Sequence, residues 1–279
     1  MDRKYIPRTT LLCLDTLNHQ LAARALKKSL AGCVFERALF LTNRSLDIEG
    51  VETIQVPRIT DRADYSRRML QSLCEFIRSE FVLVIQWDGY VLNPDAWEDT
   101  FLDYDYIGAR WAYDDGKGVG NGGFSLRSRR LLQVLAERHV TATGAENEDE
   151  TICRRLRPWL ESEHKVRFAS EAVADAFSIE RVGNNPRPFG FHGLFNMASL
   201  IGREELEGFC ALVPDNAYRS HEFFEFLIHL EKAGRAQEAQ AIRAQLAARI
   251  GASALEQNLE RARMLVRQYD RIRQSPQRM

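Results

Sequence analysis

The sequence predicts an α/β protein: a mostly parallel sheet flanked by helices, followed by a helical C-terminal appendage. Three observations carry this. Short apolar runs alternate with segments of helical periodicity through the first two-thirds of the chain. One run, FVLVI, reads as a buried strand and breaks abruptly into the polar QWDG. After residue 200 the pattern is helical only.

The elements follow in order. TLLCLDT (10–16) is an apolar run with β-branched ends, a first strand. HQLAARALKKSL (19–30) has helical spacing at Leu21, Ala25 and Leu30, and Gly32 stands as its stop. RALFLTN (37–43) and VETIQVP (51–57) are short strands, the latter closed by Pro57. Asp61 or Asp64 can cap the next helix, whose Met69, Leu73, Phe76 and Ile77 share a face. A fourth strand ends at Gln86–Trp87–Asp88. In parallel α/β sheets ligands bind beyond the carboxyl ends of the strands. The first and fourth strands both deliver polar groups there.

From 104 to 128 the chain turns rich in glycine and aromatics and reads as a flexible loop, with a helix at 129–138. Residues 145–160 begin acidic and become amphipathic, 166–180 carry apolar signal, and 181–195 form a loop with two prolines and His192. The tail holds HEFFEFLIHLEKAG and RAQEAQAIRAQLAARIG, each ending on glycine, then a third helix opened by Ser253 and Glu256 at capping-box spacing. The expected division is a sheet domain over 1–200 and a helical region over 201–279.

Composition excludes several classes. The chain has 279 residues, 45% hydrophobic and 28% charged, with a net charge of −1, so nothing global attracts nucleic acid. Five cysteines, with no CxxC, suit reduced core thiols and a cytoplasmic location. No apolar stretch approaches the roughly 20 residues of a membrane span. From Arg235 onward nine arginines face four acids, which is either a solvated helix face or a peripheral contact with an anionic membrane surface.

Each candidate for chemistry has an ordinary structural reading. Asp88 can supply an oxygen to Mg²⁺ or Mn²⁺, with Gly89 leaving room for a diphosphate, or the pair can simply make a turn. GVGNGGFSLRS stands too late for a dinucleotide-binding fingerprint and lacks the GK[ST] of a phosphate loop, but glycines let a backbone approach a sugar closely. Glu146, Glu148, Asp149 and Glu150 crowd a helix start. One or two acids suit the helix dipole; four can raise a carboxyl pKa and so make a general base. His192, within PFGFHG, is either a packed residue or a ligand.

The order of these signals, QWDG at 86–89, GNGGFSLRS at 120–128, NEDETIC at 147–153 and FGFHG at 189–193, resembles the GT-A glycosyltransferases. It is most similar to the bacterial and fungal proteins grouped as DUF5672, over roughly residues 8–200. The resemblance implies that Gln86, Trp87 and Asp88 stand at the DxD motif, which holds a metal and the sugar-nucleotide diphosphate. Asp15, Thr16 and Asn18 would meet the nucleotide, and Gly122 and Gly123 the donor sugar. Glu148 and Asp149 would match the xED motif, with Asp149 as the base of an inverting enzyme. His192 would join Asp88 as a metal ligand. Gln86, in place of the first acid of DxD, lowers the negative charge of the site.

The implied reaction moves a sugar from a nucleotide-sugar, with UDP-sugars foremost, to a glycan or other hydroxyl acceptor, assisted by Mn²⁺ or Mg²⁺. Trp111 and Phe124 would stack on sugar faces at the acceptor side. Two rival readings stand beside it. A sugar nucleotidyltransferase would need a glycine- and Lys/Arg-rich loop after the first strand, which LCLDTLNHQ lacks. The other is a non-catalytic scaffold with a vestigial nucleotide-sugar fold.

Overall fold

The structure, a computed structural model, describes residues 2–274. They form two compact units that divide between His192 and Gly193.

The first unit opens with β1 (Lys4–Leu14), α1 (His19–Gly32), β2 (Cys33–Thr42) and β3 (Glu52–Gln55). α2 (Arg62–Arg67) runs through a π-helical turn at 68–72 into α3 (Leu73–Phe76), and β4 (Phe81–Ile85) follows. Then come β5 (Tyr90–Val91), β6 (Tyr106–Ile107), β7 (Phe124–Ser128) and α4 (Arg129–Glu137). α5 (Glu148–Glu150) continues through a second π-helical turn at 151–155 to α6 (Arg157–His164); α7 (Glu171–Phe177), β8 (Ser178–Ile179) and β9 (Gly190–Phe191) complete the unit.

Six strands make one sheet in the order β3-β2-β1-β4-β7-β6. The β3–β2–β1–β4 pairings are parallel; β7 pairs antiparallel with both β4 and β6. β5, β9 and β8 form a second, three-stranded sheet. The expected mostly parallel α/β class is the one observed, and its strands are covered on both sides as that class requires. Leu12, Leu14, Leu39, Leu41, Val82 and Val84 pack with Met69, Leu73 and Ile77 of the α2–α3 segment. All five residues of β4 are buried. Each such aliphatic side chain contributes about 1.5–3 kcal/mol of burial, so β4 is central to stability.

Several boundaries differ from expectation. β1 begins six residues before Thr10, because Lys4–Ile6 pair with Cys33–Phe35, and β2 starts correspondingly early. Charged residues in KYIPR and FERA hide that extension from a periodicity argument. Gly32 is the last residue of α1 rather than a stop beyond it; a Cβ there would sit 2.4 Å from Pro94 Cγ. Of the two candidate caps, Asp61 serves, accepting from Asp64 N at 2.8 Å. β7 lies where a flexible loop was expected, and residues 118–128 are buried.

The second unit holds α8 (Arg203–Leu212), α9 (Asp215–Tyr218), α10 (His221–Lys232), α11 (Ala236–Ile250) and α12 (Ala252–Gln274), after a 3₁₀ segment at 194–199. α10 is its hub: Phe223, Phe224, Phe226 and Leu227 are buried as it packs with α11, α12 and the 3₁₀ segment. Gly234 and Gly251 both take positive φ after their helices, which a glycine does without strain. The expected capping box at Ser253 and Glu256 is not formed as such. Ser253 lies inside the first turn of α12, and Glu256 pairs with Arg243 at 2.7 Å. Three of the nine arginines are paired in this way: Arg235 with Glu238, Arg243 also with Glu231, and Arg249 with Asp215. Among the described residues no helix is long and apolar enough to cross a membrane. All five cysteines are free thiols.

Candidate active site

Cys13 of β1 pairs in register with Ile85 of β4, so the residues that follow each strand emerge at the same sheet edge. A cleft of about 280 Å³ opens there, lined by Asp15, Thr16 and Asn18 after β1, by Gln86 and Trp87 after β4, and by Asp61, Arg62 and Tyr65 from α2 and its cap. Asp15 shapes this rim. Its Oδ1 accepts from Leu17 N and Asn18 N, both at 2.7 Å, and its Oδ2 from Asn18 Nδ2 at 3.1 Å, an Asx turn that holds the chain as it leaves the strand. Thr16 is only 2% exposed, and its Oγ1 accepts from Ile59 N at 2.9 Å, tying the two loops of the cleft together. Trp87 is a wall of the cleft and not a core residue beneath it.

Beside the cleft, Gln86, Asp88 and His192 converge. Gln86 Nε2 donates to Tyr65 Oη at 3.0 Å, and its Oε1 lies 3.1 Å from His192 Nε2. Asp88 is 4% exposed; its Oδ1 has no hydrogen-bond partner and lies 3.4 Å from the same Nε2, an ion-pair distance without hydrogen-bond geometry. Across the ring, Nδ1 is 3.3 Å from Glu180 Oε1 and 3.2 Å from Asn121 Nδ2. Burial alone would lower the imidazole pKa, but Asp88 and Glu180 overrule it and hold the ring well above its ordinary value.

The donor set fits a hard divalent cation. An orphaned buried carboxylate oxygen, an amide oxygen and an imidazole nitrogen face one another, the ligand types such ions accept. Among the described residues no three His, Cys, Asp or Glu side chains form such a group, so an ion here would lean on the Gln86 amide and on ligand oxygens. Binding would displace the proton from His192, as metal capture at a histidine does.

The glycines have a different place from the one expected. Gly122 and Gly123 are buried, and the space beside each Cα is filled by the protein itself. A Cβ on Gly123 would lie 2.1 Å from His192 Nε2, and one on Gly122 would lie 2.6 Å from Glu148 Oε1. They make room for His192 and Glu148 rather than forming an open platform. Gly123 O also accepts from Gln86 N at 2.9 Å, fastening the start of β7 to the end of β4.

The acid cluster sorts itself. Glu146 bonds Arg155, Thr143 and Thr151. Glu150 reaches back to Asn147 N at 3.0 Å and caps the helix. Glu148, 4% exposed, is paired with the fully buried Arg127 at 3.2 Å. Asp149 takes only backbone donors: Gly122 N on Oδ2 and Glu150 N on Oδ1, both at 2.8 Å. Burial first, and then the negative charge of Glu148, push its carboxyl up to about 7, against the pull of those two N–H groups and of Arg127. A carboxyl with that proton affinity is suited to proton transfer near neutral pH.

One aromatic expectation is overturned. Phe124 is fully buried, its ring packed against Phe177, Phe189 and the Cα of Gly190, so it has no free face for a sugar. Trp111 is partly exposed, lies edge-on to Tyr113 and closes over Gly120. Sequence reasoning missed Tyr65, Asn121, Arg127 and Glu180. Glu180 follows a short strand, as Asp88 follows β4; Tyr65 and Arg127 carry no local signal.

A family model described as "Protein of unknown function (DUF5672)" matches residues 50–192. No curated protein matches the chain. Among solved structures, it is similar to S. aureus TarS in complex with UDP-GlcNAc, at 11% identity over 93% of this chain and 91% of that one, with a TM-score of 0.40. A glycosyltransferase involved in glycosylation of the major capsid of PBCV-1 matches at 14% identity over 74% of this chain and all (100%) of that one, TM-score 0.41. The glycosyltransferase GlyE of Streptococcus pneumoniae TIGR4 matches at 14% identity over 66% of this chain, TM-score 0.35; the chain spans about half (54%) of its length.

Proposed function

The chain belongs to the DUF5672 family, and we propose that it is a glycosyltransferase that moves a sugar from a nucleotide-sugar to a hydroxyl acceptor with inversion. The observation that carries this reading is the role of two consecutive glycines. Gly123 packs on His192 and bonds Gln86, while Gly122 donates to Asp149. A polar cluster suited to a diphosphate and a carboxyl suited to proton transfer are thus built onto one short stretch of backbone, beside a cleft.

In this reading the nucleotide occupies the cleft, against Asp15–Asn18 and Trp87. UDP-sugars are the first donors to test. Gln86, Asp88 and His192 would hold Mn²⁺ or Mg²⁺, which would supply charge neutralisation at the diphosphate. Asp149 takes the proton of the acceptor hydroxyl as that oxygen bonds the anomeric carbon and the bond to the diphosphate breaks. Glu148 is engaged in its ion pair with Arg127, which leaves Asp149 as the carboxyl without a cationic partner. Trp111 offers the partly exposed indole on the acceptor side.

The test pairs binding with turnover. Wild-type protein should bind UDP in a titration with Mn²⁺ and should turn over UDP-sugars. Asp88→Ala should lose the metal-dependent part of binding while its melting temperature stays close to wild type. Unchanged UDP affinity in that variant would overturn the assignment of the diphosphate site. Formation of a nucleotide-sugar from a sugar phosphate and UTP, in place of sugar transfer, would show a nucleotidyltransferase instead.

A further inference from the structure

Among the described residues, Arg127 heads the large side chains that are fully buried. It stands on β7 opposite Val82 of β4, so it projects from the same sheet face as Val82 and Val84. Burying a guanidinium there is costly, and an apolar residue of similar size often serves stability as well or better. Its contacts point to a task beyond packing. Nε donates to Ser125 Oγ at 3.0 Å; Nη2 reaches Glu148 Oε1 at 3.2 Å and the carbonyl of Gly122 at 3.4 Å; the cation lies over the ring of Tyr106 at 5.4 Å. Asp149 is held by those same two neighbours: it follows Glu148 in sequence, and Gly122 N–H is one of its two donors.

We propose that Arg127 is a positioning residue for Asp149: it holds Glu148 in an ion pair and braces the backbone at Gly122, whose N–H donates to Asp149, and so leaves Asp149 as the one of two adjacent carboxyls that takes the acceptor's proton. The inference rests on the reading of Asp149 as the base. Without the guanidinium, two neighbouring carboxyls would share one buried site and titrate as a pair, with neither committed. The charged and titratable groups around Asp149 are few. Glu148 and Glu150 share its helix; Arg127 faces it from β7, Tyr106 from β6 and Cys153 from the following π-helical turn, and Tyr65 faces Glu148 from α2. Glu148 outweighs Arg127 in its effect on Asp149, which fixes the sign of each change below.

The test is a carboxyl ¹³C NMR titration of the full chain, with the Asp149 signal assigned by its loss in Asp149→Asn. Glu148→Gln should lower the Asp149 midpoint by more than one pH unit, a fall of over tenfold in proton affinity. Arg127→Met should raise the midpoint and make it biphasic, whereas Arg127→Lys, which keeps the charge, should leave a single transition. If Arg127→Met does not fold, the neutral pair Arg127→Met/Glu148→Gln remains, and its midpoint should fall below wild type but less far than Glu148→Gln alone. Asp149 midpoints that do not move in the Arg127→Met or double variant would reduce Arg127 to a packing residue and overturn the proposal. Failure of the underlying reading looks different: Asp149→Asn would transfer sugar at the wild-type rate, whatever the titrations show.

Discussion

Gln86 Oε1 lies 3.1 Å from His192 Nε2, while its own Nε2 donates to Tyr65 Oη at 3.0 Å, so the amide is held at both ends with its oxygen turned toward the imidazole and Asp88. An amide in this position supplies an oxygen without a charge. Gln86→Glu keeps the shape and adds the charge, and the Tyr65 hydroxyl can turn to donate. The variant should bind Mn²⁺ several-fold more tightly in a calorimetric titration with UDP present. Unchanged Mn²⁺ affinity would mean that residue 86 does not face the cation.

Asp149→Asn should leave UDP binding near wild type and slow sugar transfer by about 10²- to 10⁴-fold, the usual contribution of a general base. In wild type the rate should rise with pH through about 7, because the base works only when deprotonated. The same group affects stability. The folded chain keeps this proton to about pH 7, while the unfolded chain releases it near the ordinary 3.8. Between those values the unfolded state binds fewer protons, so this group makes folding less favourable as pH rises. Urea unfolding of Asp149→Asn between pH 4 and 7 should therefore lose that downward slope.

Gly123→Ala should cripple binding of UDP with Mn²⁺, because the added methyl carbon would stand 2.1 Å from His192 Nε2 and must push the ring away. Gly208→Ala is the control. It lies in α8 with nothing within 4 Å of the new carbon, and alanine is favoured in helices by roughly 1 kcal/mol. That variant should melt slightly higher and bind UDP as wild type does.

Phe124→Ala should destabilise the protein by about 3–5 kcal/mol, as removal of a buried aromatic ring typically does. Phe124→Leu should recover much of that stability and leave sugar transfer near wild type. A selective loss of acceptor affinity in Phe124→Leu, with the melting temperature unchanged, would return the ring to the acceptor site.

The parts of this architecture that the sequence reveals are those with local signals. The strand at 81–85 announces itself as five apolar residues in a row, and the polar residues after it announce a strand end. The tail helices are marked by periodicity and by glycines at 234 and 251. What stays hidden depends on partners distant in the chain. β7 was obscured because FSLRS buries both its apolar and its polar residues, so no alternation signals a strand. Phe124 looks like a binding aromatic beside glycines, yet those glycines exist to admit protein side chains. Arg127 reads as a surface cation until Glu148 is seen beside it. Within ENEDE, composition and spacing offer four equivalent acids, and only the family resemblance points to Asp149. Their separate partners, an arginine, a backbone cap, a buried arginine and a glycine N–H, tell them apart.

The register of β7 against β4 sets a rule for how this chain can tolerate insertions. Because β7 runs against β4, its first residues meet the last residues of β4, and one register pairs Ile85 with Phe124 and Val82 with Arg127. One added residue within 124–128 would turn every later side chain of the strand to the opposite face, exposing Arg127 to the layer now filled by aromatic rings and Leu126 to Glu148. Two added residues would restore the faces while sliding the glycines along the sheet edge. Length changes in this strand should therefore be felt with a parity: odd insertions should prevent folding, and even ones should spare the fold while detuning the chemistry.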